Sequence, residues 1–301
     1  MSSQTTKRCH WVPQAYLRAF AANLEQRRKI WRFSKEGGDP ELKRIEKVAV
    51  RFHLYAPKDA SGRRDDSFEK KLASLEQWFV DPVWRTLQTD MLDLSWEPLR
   101  KLVGLSAAVM FLRNPLNLER TKTIHDQLAS LVASGPELPD ALEINGKSYR
   151  FDQSSWPSFR DATEDDIKRS WIDEMSNAAH YAKLMMQMRW SVIFSDSPVF
   201  ITSDNPITFV HPSMRFRGVT NPDTTIFFPL SPTRLLAMDN RHSEPCNQYY
   251  PLRGTAASFN ALIWKNAIEY MFSSRNPDLV CKELVADERM YSRTHSQTGF
   301  V

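Results

Sequence analysis

The sequence predicts an α+β fold, with a helical middle and an antiparallel or mixed sheet drawn mainly from the C-terminal half. Three observations carry that expectation. Apolar residues recur at three- and four-residue spacing between positions 65 and 188, the pattern of helices with one buried face. From Arg189 onward they fall into short runs separated by Pro, Ser and Asp, which reads as strands. A chain of 301 residues, 42% apolar and 25% charged, can bury a sizeable core, so one domain spanning 1–301 is expected, with 135–160 as a small insertion.

The first element is a turn. His10-Trp11-Val12-Pro13-Gln14-Ala15-Tyr16-Leu17-Arg18-Ala19-Phe20 repeats an imidazole, a carboxamide and a guanidinium at four-residue spacing. With Pro13 opening a helix, Gln14 and Arg18 share a face, His10 sits just ahead of it, and Leu17 and Phe20 point elsewhere. Next, 29–33 and 43–50 flank Gly37-Gly38-Asp39-Pro40 as a basic hairpin. Phe68, Leu72, Leu75, Phe79 and Val83 mark a helix over 65–87 that Pro82 kinks or splits. The helix over 96–111 is apolar on most sides and is expected at the centre; Arg113-Asn114-Pro115 ends or bends it before an amphipathic helix over 116–133.

Residues 135–140 form the best linker, and 142–151 a hairpin around Asn145-Gly146. Thr163 starts a helix with Asp166 at capping-box spacing, its buried stripe running from Ile167 through Trp171, Met175, Ala178 and Ala182 to Met185. Strands follow at 190–194, 199–202, 207–210, 224–228 and 235–239. A helix over 256–272 closes the fold, then a short strand at 279–284, with the chain frayed from Ser292.

Composition excludes several classes. Cys9, Cys246 and Cys281 are odd in number and unpaired in spacing, against a disulfide framework or a structural zinc site. The longest nearly unbroken apolar run, 102–112, is about half a bilayer span, and no secretory signal is evident, so a cytoplasmic protein without a membrane partner is expected. The net charge is +4, yet residues 1–51 carry 12 Lys/Arg against 5 Asp/Glu, an excess suited to a phosphate-bearing partner or to simple solvation.

The opening His10-x-Val12-Pro13-Gln14-x-Tyr16-Leu17-Arg18-x-Phe20, with Thr202-Ser203-Asp204-Asn205-Pro206, resembles the bacterial family catalogued as domain of unknown function 4238. Glu69-x-x-Leu72-x-x-x-Glu76, the helix ending at Arg113, and Phe228-Pro229-Leu230-Ser231-Pro232 fit the same likeness, which spans residues 10 to 275. Trp11 stands where an aromatic such as tyrosine is common. The resemblance implies no particular activity.

The residues themselves offer chemistry. Pro206 disfavours a helical Asn205, so Ser203-Asp204-Asn205 is a tight turn at a strand end, where Asp204 can hold a metal, act as a base or orient another side chain; the alternative is an Asx-turn that satisfies nearby backbone. Glu69 and Glu76 lie about 10 Å apart along a helix, too far to share a proton but able to face one cleft. With Asp204 and His10 they would suit magnesium or manganese; alternatively each pairs with Arg18 or Arg113. His10 can serve as acid, base or ligand and Gln14 as donor and acceptor, or both can pin the turn. Trp31 and Arg32 interleave aromatic and basic groups on the hairpin. Cys9 beside His10 suggests a nucleophile, although adjacent side chains rarely face one way. Asn260 can line a cleft, whereas Asn266, six positions on, does not share its face.

Together these features suggest a metal-dependent hydrolase of phosphodiester bonds, nuclease-like, acting in bacterial conflict or defence. In that reading His10, Gln14, Asp204 and Asn205 are catalytic, Arg18, Arg113, Trp31 and Arg32 bind substrate, and Glu69, Glu76 and Asp204 hold the Mg or Mn ion. One alternative is a non-catalytic module for nucleic acid or protein. Another is an enzyme of small nucleotides, with Arg18 and Arg113 clamping phosphates. The sequence leaves the oligomeric state open. Every catalytic reading requires the N-terminal turn to meet the Asp204-Asn205 corner.

Overall fold

The computed structural model describes residues 8–23, 25, 27–133, 140–144, 147–150, 154–213 and 218–297. In chain order the elements are β1 (Arg8–His10), α1 (Gln14–Leu17), β2 (Lys29–Ser34), β3 (Glu41–Arg44), β4 (Val50–Phe52), α2 (Ser67–Leu75), α3 (Pro82–Leu87), α4 (Glu97–Leu112) and α5 (Pro115–Ala133). There follow β5 (Ala141–Ile144), β6 (Lys147–Arg150), α6 (Trp156–Arg160), α7 (Glu164–Glu174), α8 (Ala178–Gln187), β7 (Arg189–Phe194), β8 (Thr202–Ser203), β9 (Thr208–Val210), β10 (Thr225–Ser231), β11 (Arg234–Asp239), β12 (Gln248–Pro251), α9 (Ala257–Asn266), β13 (Tyr270–Ser273) and α10 (Pro277–Gln297).

The fold is α+β, as expected. A five-stranded mixed sheet, in the order β12-β7-β11-β10-β9, comes entirely from the C-terminal half; only its β12–β7 pair is parallel. Within β10 the register shifts between Pro229 and Ser231, where proline lacks the N–H a regular ladder would use. A four-stranded sheet, β3-β2-β13-β8, takes two strands from each end of the chain. The basic hairpin β2–β3 is therefore sewn to the Asp204 corner through β13. Its turn carries Gly37 and Gly38 at φ of 95° and 99°, a region side chains rarely adopt.

Local signals produced their elements. Thr163 and Asp166 form a reciprocal capping box at the start of α7. Pro82 splits the 65–87 segment because it opens a new helix, with the Asp81 carboxylate accepting from Val83 N–H. Helix α4 is central and packs on α8 at Gly104, where a Cβ would meet Met186 Cγ at 3.1 Å and Ala182 O at 3.3 Å. Below α1, the rings of Tyr16, Phe79, Trp84 and Phe228 pack edge to face and stacked, with centroids 4.8–5.9 Å apart. Each such ring stabilises the fold by about 2–3 kcal/mol through burial.

Four readings change. The helix expected over 256–272 stops at Asn266, and Tyr270–Ser273 is a strand between β2 and β8, because the amides of Ile268, Glu269 and Tyr270 bind the Asp204 carboxylate instead of helical carbonyls. The strand expected at 279–284 is part of α10, which places Val280 and Leu284 against Ile263 and Trp264. That helix runs to Gln297, past the expected frayed start at Ser292. The segment after Thr163 is two helices joined by a 3-10 turn at Met175–Asn177. Strand β12 was not foreseen. The linker at 135–139 and the Asn145-Gly146 turn lie outside the described residues.

Candidate functional site

Three distant segments meet at one corner. Trp11 Nε1 donates to the Asp204 carbonyl at 2.8 Å, so the N-terminal turn and the Asp204-Asn205 turn are in contact. The Tyr16 hydroxyl donates to Pro229 O and lies 2.7 Å from Thr202 Oγ1, tying α1 to both large sheets. The end of α4 joins them: the Arg113 guanidinium donates to the His10 carbonyl, and Asn114 Nδ2 donates to Asn205 Oδ1 at 2.9 Å.

Arg113 is a fully buried cation. Glu76 Oε1 lies 3.7 Å from Nη2, Glu69 adds a second negative charge, and the Tyr55 ring is 5.7 Å away. Burial alone would weaken the guanidinium's hold on its proton, but Tyr55, Glu76 and Glu69 together outweigh it and keep Arg113 charged. Burial pushes both glutamate carboxyls up, against the pull of Arg113. Glu69 also accepts from the Cys9 thiol, while its Oε2 has no hydrogen-bond partner among the described residues. Burial raises the Cys9 thiol as well, the wrong direction for a nucleophilic thiolate.

Asp204 is as deeply buried, at 1% exposure, but among the described residues it forms no ion pair. Its Oδ1 accepts from Ile268 N–H at 2.7 Å and its Oδ2 from Glu269 and Tyr270 N–H at 2.9 and 3.0 Å. Burial pushes its carboxyl up to about 6, opposed by those three amides. With both oxygens engaged, this carboxylate organises the α9–β13 loop. Among the described residues, no three His, Cys, Asp or Glu side chains are grouped as a metal ion would need, and His10, Glu69, Glu76 and Asp204 thus do not form a donor set.

The remaining motif residues look outward in two directions. On one side, His10 Nε2–H donates to the Glu46 carbonyl at 3.2 Å, which leaves Nδ1 as the acceptor facing Gln14 Nε2 at 3.5 Å. Burial lowers the His10 pKa and the charges of Arg113 and Arg8 add to it, so the ring is neutral at pH 7. Gln14 and Arg18 then line an open concavity of about 690 Å³ together with Arg27, Arg28, Lys29, Arg44, Ile45, Glu25 and Glu46. Five cations thus face two carboxylates.

On the other side, Asn205 and Asn114 line a cavity of about 260 Å³ with Asn266, Thr208, Arg120 and Lys265. Asn205 Nδ2 donates to Asn266 O, and Asn266 Nδ2 returns bonds to Asn205 O and Ile207 O. Asn266 lines this cavity, whereas Asn260 is buried and spends its amide on Ile201 N–H and Val199 O. Trp31 and Arg32 line neither space; Arg32 pairs with Glu41 and sits 4.2 Å over the Tyr270 ring.

Sequence reasoning thus found the corner and missed most of its lining. Arg27 and Arg28 entered only through the charge balance, and Lys29 and Arg44 only as residues of the basic hairpin. A usable signal for the second cavity was present: Asn114 and Asn205 both precede a proline, which holds each out of a helix.

Among the described residues no helix is long and apolar enough to cross a membrane. No curated protein and no solved structure matches the chain. A family model described as a protein of unknown function, DUF4238, matches residues 8–277. That span takes in the His10 turn, the Arg113-Asn114 corner and the Asp204-Asn205 turn, and the chain belongs to the DUF4238 family.

Proposed function

We propose that this chain binds the phosphate backbone of a nucleic acid in the concavity beside α1. The observation that carries the reading is the lining itself: Arg18, Arg27, Arg28, Lys29 and Arg44 against Glu25 and Glu46. Phosphate oxygens accept from guanidinium forks, and a surplus of cations raises both affinity and encounter rate. Among the described residues no aromatic ring lines the concavity, so contact is with the backbone and carries little sequence preference. His10 and Gln14 set the wall of the concavity by bonding Glu46 and each other.

Binding is preferred to metal-dependent phosphodiester hydrolysis because Asp204 is committed to three amides and Glu69 and Glu76 to the charge of Arg113. Fluorescence anisotropy of a labelled single-stranded oligonucleotide, titrated at several salt concentrations, tests the reading. Affinity should fall steeply with salt, with a log–log slope of about −0.7 for each phosphate neutralised, and Arg18→Glu with Arg28→Glu should abolish binding. Binding that ignores both salt and the double variant overturns it. Calorimetry with Mg²⁺ or Mn²⁺ tests the hydrolase: a saturable heat lost in Glu76→Gln would restore that reading.

A further inference from the structure

We infer that the cavity between α5, β9 and the end of α9 is a second site, independent of the basic concavity, for a nucleoside monophosphate. Three observations point to an anion there. The cavity lies at the start of the 19-residue helix α5, lined by Asn114 just before it, Leu116 and Asn117 in its first turn and Arg120 in its second, so it lies beside the positive end of a long helix dipole. Asn114 Oδ1 already accepts Leu116 N–H, so the attraction there is that of the field and not of a free amide.

Independently, Thr208 lines the cavity and is 2% exposed, and its hydroxyl has no hydrogen-bond partner among the described residues. A buried hydroxyl left in that state is costly, and a ligand oxygen would satisfy it. Finally, Arg120 and Lys265 line the 260 Å³ space while, among the described residues, no carboxylate lines it and none pairs with the Lys265 ammonium. His211 adds a donor: its Nδ1 accepts Ser213 N–H at 3.0 Å, which leaves Nε2–H as the ring's donor.

The other walls suit a heterocycle. Phe111 and Phe209, with ring centroids 4.7 Å apart, and Leu262 offer an apolar surface. Asn266 donates through Nδ2 to backbone carbonyls, so its Oδ1 is an acceptor available to an exocyclic amine on a base. The space of about 260 Å³ lies beside one of about 390 Å³ that shares Phe111, Asn117 and Arg120 and has Glu174 on its far wall; only the two together reach the range of small-ligand sites.

Isothermal titration calorimetry of the full chain with AMP, adenosine and inorganic phosphate tests the assignment. AMP should bind one to one, inorganic phosphate should compete with it, and adenosine should bind at least tenfold more weakly. Thr208→Val should weaken AMP about tenfold, equivalent to about 1.4 kcal/mol, and Lys265→Gln several-fold. If Thr208→Val does not fold, as judged by near-UV circular dichroism, the exposed Lys265→Gln carries the test. Oligonucleotide binding should survive both substitutions, and AMP binding should survive Arg18→Glu with Arg28→Glu, so either site can fail alone. No saturable AMP heat at millimolar concentration, adenosine equal to AMP, or unchanged affinity in the variants would overturn the site.

Discussion

Arg113 and Asp204 are buried charges in the same corner, each about 1% exposed, and the protein solves the problem of burying them in opposite ways. Arg113 is held by counter-charges, Glu69 and Glu76, which are themselves partly buried and pushed toward protonation. Asp204 has no counter-charge among the described residues and is held by three amide dipoles of the loop it organises. Counter-charges bring their own desolvation cost, whereas backbone amides must be satisfied in any case. The Arg113 cluster is therefore the more fragile arrangement, since losing one member strands another. The Asp204 loop costs a few hydrogen bonds when its acceptor is altered.

Arg113→Met should produce the largest loss, about 3–5 kcal/mol, because it leaves Glu69 and Glu76 without their cation. Urea denaturation measures it, and adding Glu69→Gln and Glu76→Gln should recover much of the loss. A loss under 1 kcal/mol would mean that Arg113 is not the charge the cluster is built around. Asp204→Asn should cost about 1–3 kcal/mol, since an amide NH₂ cannot replace a carboxylate oxygen as acceptor for the α9–β13 loop. If the two substitutions cost the same, the contrast between counter-charges and dipoles fails.

Acid sharpens the comparison. With the Asp204 carboxyl raised to about 6 from its ordinary 3.8, the folded state takes up this proton before the unfolded chain does. Its contribution to stability is fully present below pH 3.8 and lost as pH climbs through about 6. Wild type should thus gain on Asp204→Asn as pH is lowered across that window, seen as a widening gap in unfolding midpoints. The raised Glu69 and Glu76 share this sign, and without Arg113 they would rise further. The Arg113→Met deficit should therefore shrink on acidification. The smallest effect on the fold belongs to the exposed concavity: Arg18→Glu with Arg28→Glu should lower the urea midpoint only slightly, through the loss of the Arg18 charge that acts on Glu76, while removing oligonucleotide binding.

How much of this was legible depends on distance along the chain. Thr163 and Asp166 are three residues apart, Pro82 acts on its own turn, and the Gln14–Arg18 face is one helical turn, so each could be read from neighbours. The meeting of the N-terminal turn with the Asp204 corner was legible only as a demand: both segments are dense in polar groups that need partners. Their contact through Trp11 spans 193 positions, and no local rule selects that indole. The same limit hid Tyr270–Ser273, whose apolar residues fit a helix until Asp204 takes three amides and β2 and β8 offer a place between them.

By itself, then, the sequence determined the α+β class, most helices and strands, the basic N-terminal excess and the three motifs that build the corner, because these follow from short-range periodicity, caps and charge. The pairing of Glu69 and Glu76 with Arg113 was already one of the alternatives open in the sequence, and tertiary structure selected it; tertiary structure alone decided that Asp204 is held by amides and that the motif side chains open onto two separate spaces. Those outcomes depend on which distant groups share the same few ångströms, where desolvation is strong enough to dictate each polar group's partner.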